Sequence, residues 1–298
     1  MTAARRQLSL ASLSALHVPP PDLVRHAAAA GFDLVGALRL VPASDGTGAD
    51  LVGDEALRRA TADALADTGL GVLDVEVFRL RPGTAAADAE PLLAIGAEFG
   101  ARFLLTAVED PDPARRAQVF AELCVLAREY GLRCMVEPMV FSALRTPAEA
   151  AGLLDAAGLL DAAVASDAGV LIDTLHLARA GGTPADLDAL GPGRLPYVQL
   201  CDAPSAEPAV PGPDGLRRAV QEAVAHRLPP GEGVLPLEDV LRRIAPVAPV
   251  SLEVPNPAAR SDPAGWIRRL GDAARRLPAV PGERLRPTTS GREPAPDR

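Results

Sequence analysis

The chain has 298 residues, 48% of them hydrophobic and 23% charged, enough to bury a full core in one large domain or two small ones. Its formal net charge is −9 and aromatics make up only 3%, which sets aside nucleic-acid grooves and base-stacking platforms. All 30 basic residues are arginine, so Schiff-base chemistry on lysine and a lysine-bearing phosphate loop are both excluded.

In chain order, short apolar runs alternate with longer segments of helical spacing. Residues 7–13 (QLSLASL) predict a strand, and Pro20 and Asp22 open a helix over 20–30. Strands at 33–39, 71–78, 102–108 and 133–139 are followed by helices at 54–68, 85–99, 113–130 and 147–160. Strands at 169–175, 196–202 and 249–255 are followed by helical segments at 184–190, at 214–226 with 236–245, and at 263–276. Eight strands, each followed by a helix, is the count of an α/β (β/α)₈ TIM barrel, a fold of about 250 residues. The rival doubly wound sheet needs a glycine-rich first turn, and SALHVPPPD is not one. Residues 1–277 are therefore expected to form a single barrel domain. The Pro/Arg-rich stretch 278–298 has no periodicity and is expected to be a disordered tail.

Mean hydropathy is +0.12, yet no apolar run approaches the ~18 residues of a membrane span. The N-terminal stretch is interrupted by proline and aspartate, and reads as the start of the fold rather than a signal peptide. Cys124, Cys134 and Cys201 form no CxxC pair, which reads as buried thiols in a reducing, cytoplasmic setting.

In such a barrel the reacting groups gather at the carboxyl ends of the strands. Polar residues recur there: Asp74 and Glu76, Glu137 in V-E-P, Asp173 with His176 in I-D-T-L-H, Gln199 and Asp202 in V-Q-L-C-D, and Glu253 in S-L-E-V-P. Residues two apart on a strand share a face. If Met135, Leu171, Tyr197 and Ser251 face the axis, so do Glu137, Asp173, Gln199 and Glu253. Crowded carboxylates repel and shift one another's pKa, and a divalent cation resolves the repulsion. An all-oxygen donor set favours a hard ion, Mg²⁺ or Mn²⁺. His176, three residues past Asp173, is a candidate for substrate contact. The loop H-R-L-P-P-G-E-G (226–233) offers Arg227 as a fork of donors to substrate. Asp74 and Glu76 are either substrate contacts or ion-pair partners of Arg39 or Arg79. Arg227, Arg179 and Arg39 are the side chains placed to meet a phosphate, should the substrate carry one.

The motifs V-E-P, I-D-T-L-H, Y-V-Q-L-C-D-A, R-L-P-P-G-E-G-V-L-P-L and S-L-E-V resemble those of the xylose-isomerase-like TIM-barrel superfamily of sugar isomerases and epimerases, over about residues 7–276. The resemblance implies a divalent cation held by Glu137, Asp173 and Glu253, with the two glutamates exchanging the substrate proton. It departs at Gln199, where the epimerases have a histidine; a glutamine ligates through its carbonyl oxygen. The 3-dehydroshikimate dehydratases of the same superfamily have a similar Glu, Asp, Gln, Glu set and a histidine three past the Asp, as His176 is here. They also have a histidine near the third strand, which Glu76-Val77-Phe78-Arg79 does not supply. The endonuclease-IV branch needs several more histidines.

The expected function is a metal-dependent sugar isomerase or epimerase in carbohydrate metabolism, working through an enediolate. Glu137, Asp173, Gln199 and Glu253 are the expected ligands, Glu137, Glu253 and His176 the catalytic groups, and Arg227, Glu76 and His176 the substrate contacts. A dehydratase-like lyase with His176 as base is the alternative, and a non-catalytic small-ligand barrel the third reading. The expected partner is a small polyhydroxy carbonyl compound, with neither nucleic acid nor membrane. A homodimer is compatible with a barrel of this kind.

Overall fold

The computed structural model describes residues 6–42, 46–158 and 168–277. Eight parallel strands form its centre. They are β1 (Leu8–Ala11), β2 (Leu34–Gly36 continued by Leu38–Arg39), β3 (Gly71–Val72 continued by Asp74–Leu80) and β4 (Phe103–Val108). They continue as β5 (Arg133–Val136), β6 (Ala168–Val170 continued by Ile172–Asp173), β7 (Val198–Leu200) and β8 (Val250–Leu252). Each pairs with the next, and β8 pairs with β1 through Leu8↔Val250 and Leu10↔Leu252, so the ring closes. At the break within β6, Ala168–Val170 pairs with β5 and Ile172–Asp173 with β7.

Helices α1 (Pro20–Ala29), α2 (Glu55–Thr68), α3 (Glu90–Glu98), α4 (Pro113–Glu129) and α5 (Pro147–Ala156) follow the first five strands. Their starts are set by capping chemistry: Asp54, Asp112 and Thr146 each accept a backbone N–H of the first turn. The chain continues with α6 (Thr174–Arg179), α7 (Pro213–Ala225), α8 (Leu237–Leu241), α9 (Ala258–Ser261) and α10 (Pro263–Arg276). Several expected boundaries change: the fifth strand ends at Val136 rather than 139, the eighth at Leu252 rather than 255, and the helix expected at 236–245 is Leu237–Leu241. The sixth strand ends at Asp173 rather than 175, because the Asp173 carboxylate caps a short helix that begins at once. The helical segment expected at 184–190 is a 3₁₀ turn, Pro184–Ala189. The expected tail at 278–298 lies outside the described residues.

Most of the core lies between the strands and the surrounding helices. A second apolar cluster of Leu34, Leu73, Phe103, Leu105, Met135, Leu171 and Tyr197 fills the barrel interior, with the Phe103 and Tyr197 rings stacked at 4.9 Å. Met135, Leu171 and Tyr197 are thus on the axis-facing side, which puts the next residue on the same face of each strand at the carboxyl rim. Above this floor the interior turns polar. Asp74 is fully buried, accepting from the Ala37 N–H at 2.8 Å and the Tyr197 hydroxyl at 2.9 Å. Burial pushes its carboxyl up to about 7. Gly36 must lack a side chain here, since a Cβ would lie 2.5 Å from Asp74 Oδ1 and 2.6 Å from Ser9 Oγ.

Ala37 breaks β2 at φ 40°, a conformation costly for an L-residue. Asp74 fixes its N–H and Ser12 donates to its carbonyl at 2.6 Å, so two side chains hold the bend. Asp74→Ala orphans two buried donors, at about 1–3 kcal/mol each, whereas Tyr197→Phe removes one hydroxyl and leaves no orphaned donor. Chemical denaturation at pH 6 is expected to give about 2–4 kcal/mol of destabilisation for Asp74→Ala and about half that for Tyr197→Phe.

Candidate metal centre

The axis-facing alternation brings the strand-end residues together. Oxygen atoms of Glu137, Asp173 and Glu253 lie within 4.8 Å of one another, and all three residues are buried. Among the described residues this is the set of acidic, histidine or cysteine side chains that converges closely enough to hold an ion. Glu137 follows β5 directly and Glu253 follows β8. Their N–H groups continue the ladders, donating to Thr106 O and Leu200 O. Gln199 sits on β7 between them, fully buried, with its Nε2 donating to Glu253 Oε1 at 3.3 Å.

One side chain arrives from elsewhere. Arg227, just beyond α7, is 1% exposed and reaches Asp173 and Glu253. Its Nη1 donates to Asp173 Oδ2 at 2.5 Å and to the Glu253 carbonyl at 3.2 Å, and its Nη2 pairs with Glu253 Oε2 at 3.0 Å. Its Nε donates to the Ala223 carbonyl at 2.7 Å. The loop that carries it is pinned on both sides. The Arg227 N–H donates to Pro255 O, and the Arg227 carbonyl accepts from Asn256. Asp202 and Leu228 exchange backbone bonds at 2.8 Å, and the Asp202 carboxylate accepts the N–H groups of Ala203, Gly231 and Leu235. Gly233 has no room for a side chain, since a Cβ would fall 2.2 Å from Ala203 O.

The sequence expectation for Arg227 was a loop side chain presented to substrate. The structure instead commits its fork to Asp173, Glu253 and Ala223. Glu76, the other weaker substrate candidate, is paired with Arg39 at 3.1 Å. Arg179 is paired with Glu222 at 2.6 Å and with the carbonyls of Ser205 and Glu207. His176 lies in the first turn of α6, buried, with Nε2 3.8 Å from Glu137 Oε1 and Phe141 against its ring edge at 5.3 Å. The arginine's destination had no signal in local sequence, because it depends on a loop folding back across β8.

Charge bookkeeping explains the electrostatics. Three carboxylates face one guanidinium, so ionising all three would leave two units of negative charge uncompensated in a buried space. Burial, then repulsion from Glu253 and Asp173, pushes the Glu137 carboxyl well above its ordinary value. Burial pushes Glu253 up to about 8 even with Arg227 opposing. Burial also acts against ionised Asp173, but Arg227 foremost, with His176 and the α6 N–H groups, holds its pKa below the ordinary value. Burial depresses His176 to about 4, so its imidazole is neutral at pH 7.

Two buried oxygens at this centre have no hydrogen-bond partner, Glu137 Oε1 and Gln199 Oε1. Orphaned acceptors beside an excess of two negative charges fit a divalent cation. The donor set is entirely oxygen, which suits a hard ion. Glu137, Asp173, Gln199 and Glu253 are the side chains that would hold it.

Comparison with known proteins follows the geometry. A family model described as xylose isomerase-like TIM barrel matches residues 24–276. No curated protein matches the chain in sequence. Among solved structures, a xylose isomerase-like TIM barrel/4-hydroxyphenylpyruvate dioxygenase fusion protein superposes with a TM-score of 0.72 at 23% identity. That match covers 91% of this chain, which spans only 42% of the fusion. A probable 3-DHS dehydratase, AsbF, from Bacillus anthracis gives 0.68 at 14% identity, covering 91% of this chain and 100% of that one. A D-psicose 3-epimerase studied in the presence of D-fructose gives 0.67 at 15%, covering 90% and 97%. At these identities the likeness carries the fold.

The pKa directions give a stability test. Asp74, Glu137 and Glu253 are raised, so the native state holds more protons than the unfolded chain above the ordinary carboxylate values. Stability then falls as pH rises through that window. His176 is lowered to about 4 and works oppositely, but its contribution is complete above its ordinary 6.5. Between roughly pH 6.5 and 8 the carboxylates therefore dominate. The chelator-treated protein is expected to lose melting temperature across that interval, and Mn²⁺ is expected to abolish most of the loss. A melting temperature flat with pH and unmoved by Mn²⁺ contradicts the charge imbalance.

Proposed function

The chain belongs to the xylose isomerase-like TIM barrel family, and we propose that it is a divalent-metal-dependent isomerase or epimerase acting on a sugar or related polyhydroxy carbonyl compound. One observation carries the reading: three buried carboxylates converge at the strand ends with a single guanidinium among them and two unpartnered oxygens beside it. The likeness to the D-psicose 3-epimerase supports the reaction class.

When bound, the cation polarises the substrate carbonyl and neighbouring hydroxyl, making the proton alpha to the carbonyl acidic. The side chains do the rest. Glu253 takes that proton as general base. Glu137, on the other side of the centre, is the second carrier and returns a proton to carbon. Return to the opposite face of the same carbon epimerises; return to the neighbouring carbon isomerises. Arg227 holds the Asp173 and Glu253 carboxylates in orientation. His176, neutral and near Glu137, contacts a substrate hydroxyl.

A second reading is a dehydratase-like lyase. Gln199 at the fourth position and the neutral His176 beside Glu137 favour it, as does the likeness to the probable 3-DHS dehydratase. His176 would then serve as base, and loss of a beta hydroxyl would replace reprotonation.

Incubation of Mn²⁺-loaded protein in D₂O with a panel of ketoses and 3-dehydroshikimate distinguishes the two. Deuterium at the alpha carbon without loss of water is the expected outcome. A new conjugated or aromatic absorbance from dehydroshikimate selects the lyase. Glu253→Gln is expected to reduce exchange by about 100- to 10,000-fold with the fold intact by circular dichroism. Unchanged exchange in that variant removes Glu253 from the mechanism.

A further inference from the structure

The barrel interior holds polar atoms that the metal centre does not use. Ser9 on β1 and Ser251 on β8 are wholly buried, and neither hydroxyl has a hydrogen-bond partner. Elsewhere in the core the buried hydroxyls of Ser12, Ser14, Thr61 and Thr174 each donate to a backbone carbonyl. Thr106 is the other exception among the described residues, and it lies on the outward face of β4, alternating with Leu105 of the interior cluster. An unpaired buried hydroxyl is costly, and two of them side by side call for a shared partner.

Strand register makes these two residues neighbours. Ser9 is aligned with Ser251 across the β1–β8 ladder. Leu8, Leu10, Val250 and Leu252 pack outward against the helices, so both serines face the axis. Gly36 on β2 locates the space they share. A Cβ built there would lie 2.5 Å from Asp74 Oδ1, 2.6 Å from Ser9 Oγ and 3.3 Å from Ser251 Oγ. Three oxygens, carried by β3, β1 and β8, therefore surround one point in front of the glycine.

Their bonding capacity selects the occupant. Asp74 Oδ1 takes the Ala37 N–H, and a carboxylate oxygen has room for a second donor. Each serine hydroxyl brings one donor and two acceptor sites, all uncommitted. A water matches this set: it donates to Asp74 and to one serine, and accepts from the other. Three partners is the usual complement of a buried water. A bare cation matches it less well, because both hydroxyl protons would then have no acceptor at the site.

We propose that the barrel encloses a bound water held by Ser9 Oγ, Ser251 Oγ and Asp74 Oδ1. The water bridges β1, β8 and β3 between the apolar floor and the carboxylates. Ser251 stands two residues before Glu253 on the same face, so the bridge braces the strand from which Glu253 emerges. The site depends on neither the metal nor the reaction proposed above, and it stands or falls separately from them.

The test is a high-resolution crystal structure of the full chain together with melting temperatures of Ser9→Ala, Ser251→Ala and the double variant. The expected density is one peak about 2.7–3.2 Å from all three oxygens, with no anomalous signal after a rubidium soak. Each single variant is expected to melt about 2–4 °C lower, the shift for one hydrogen bond in a domain of this size. Because the two hydroxyls share one water, the double variant is expected to lose clearly less than both shifts combined. Hydroxyls that hold nothing give the opposite sign, since removing an unpaired buried group leaves the melting temperature unchanged or raises it. Unchanged or raised melting temperatures, fully additive losses, a featureless map at that point, or a rubidium peak there would each overturn the proposal.

Discussion

A buried guanidinium among three carboxylates is the interaction on which the rest of this structure turns. Arg227 brings one positive charge, five N–H donors and a rigid plane into a space that Glu137, Asp173 and Glu253 share. Removing charges from water is costly, and such a pair is stabilising only when geometry and hydrogen bonding are nearly complete. Here the arginine meets two carboxylates and two backbone carbonyls, so its own donors are well used. The carboxylates are not: the sum is two negative charges too many, and Glu137 is the member without a counter-charge. That imbalance makes the centre a receptor for a dication and, before one arrives, a holder of protons.

The barrel supplies the support this electrostatic load requires. Below the rim, a dry cluster containing Leu171, Met135 and Tyr197 excludes water from the axis. Between it and the carboxylates lies a polar belt in which Asp74 ties the bend of β2 to the Tyr197 hydroxyl. Each polar group is placed by a strand, and strands in a closed ring have little freedom to shift register. The loops do the adjustable work: the glycine-containing turn after α7 delivers Arg227, and the segment after β8 fixes it.

Much of this was legible in the sequence, for definite reasons. Period-two alternation in buried strands is a strong signal, and it placed Glu137, Asp173, Gln199 and Glu253 on one face before any coordinates. V-E-P and S-L-E-V-P each mark a strand end with a proline, which stops the ladder where the acid must emerge. Asp173 was legible as a strand-end acid but not as a helix cap, because I-D-T-L-H reads equally as strand continuation. Arg227 was found by its loop, but its pairing with Asp173 and Glu253 was not. A side chain's partner across some fifty residues of sequence is a tertiary fact, and Arg-to-Asp173 pairing leaves no local trace. Asp74 and Glu76 looked alike on one strand. The ring separates them, one under Tyr197 and the other against Arg39.

The most direct measurement is anomalous diffraction from crystals soaked in Mn²⁺. The account predicts one strong peak bounded by oxygens of Glu137, Asp173, Gln199 and Glu253, with the Arg227 guanidinium still against Asp173. Density at that position for Arg227 alone, with manganese absent or bound only at the surface, would contradict it.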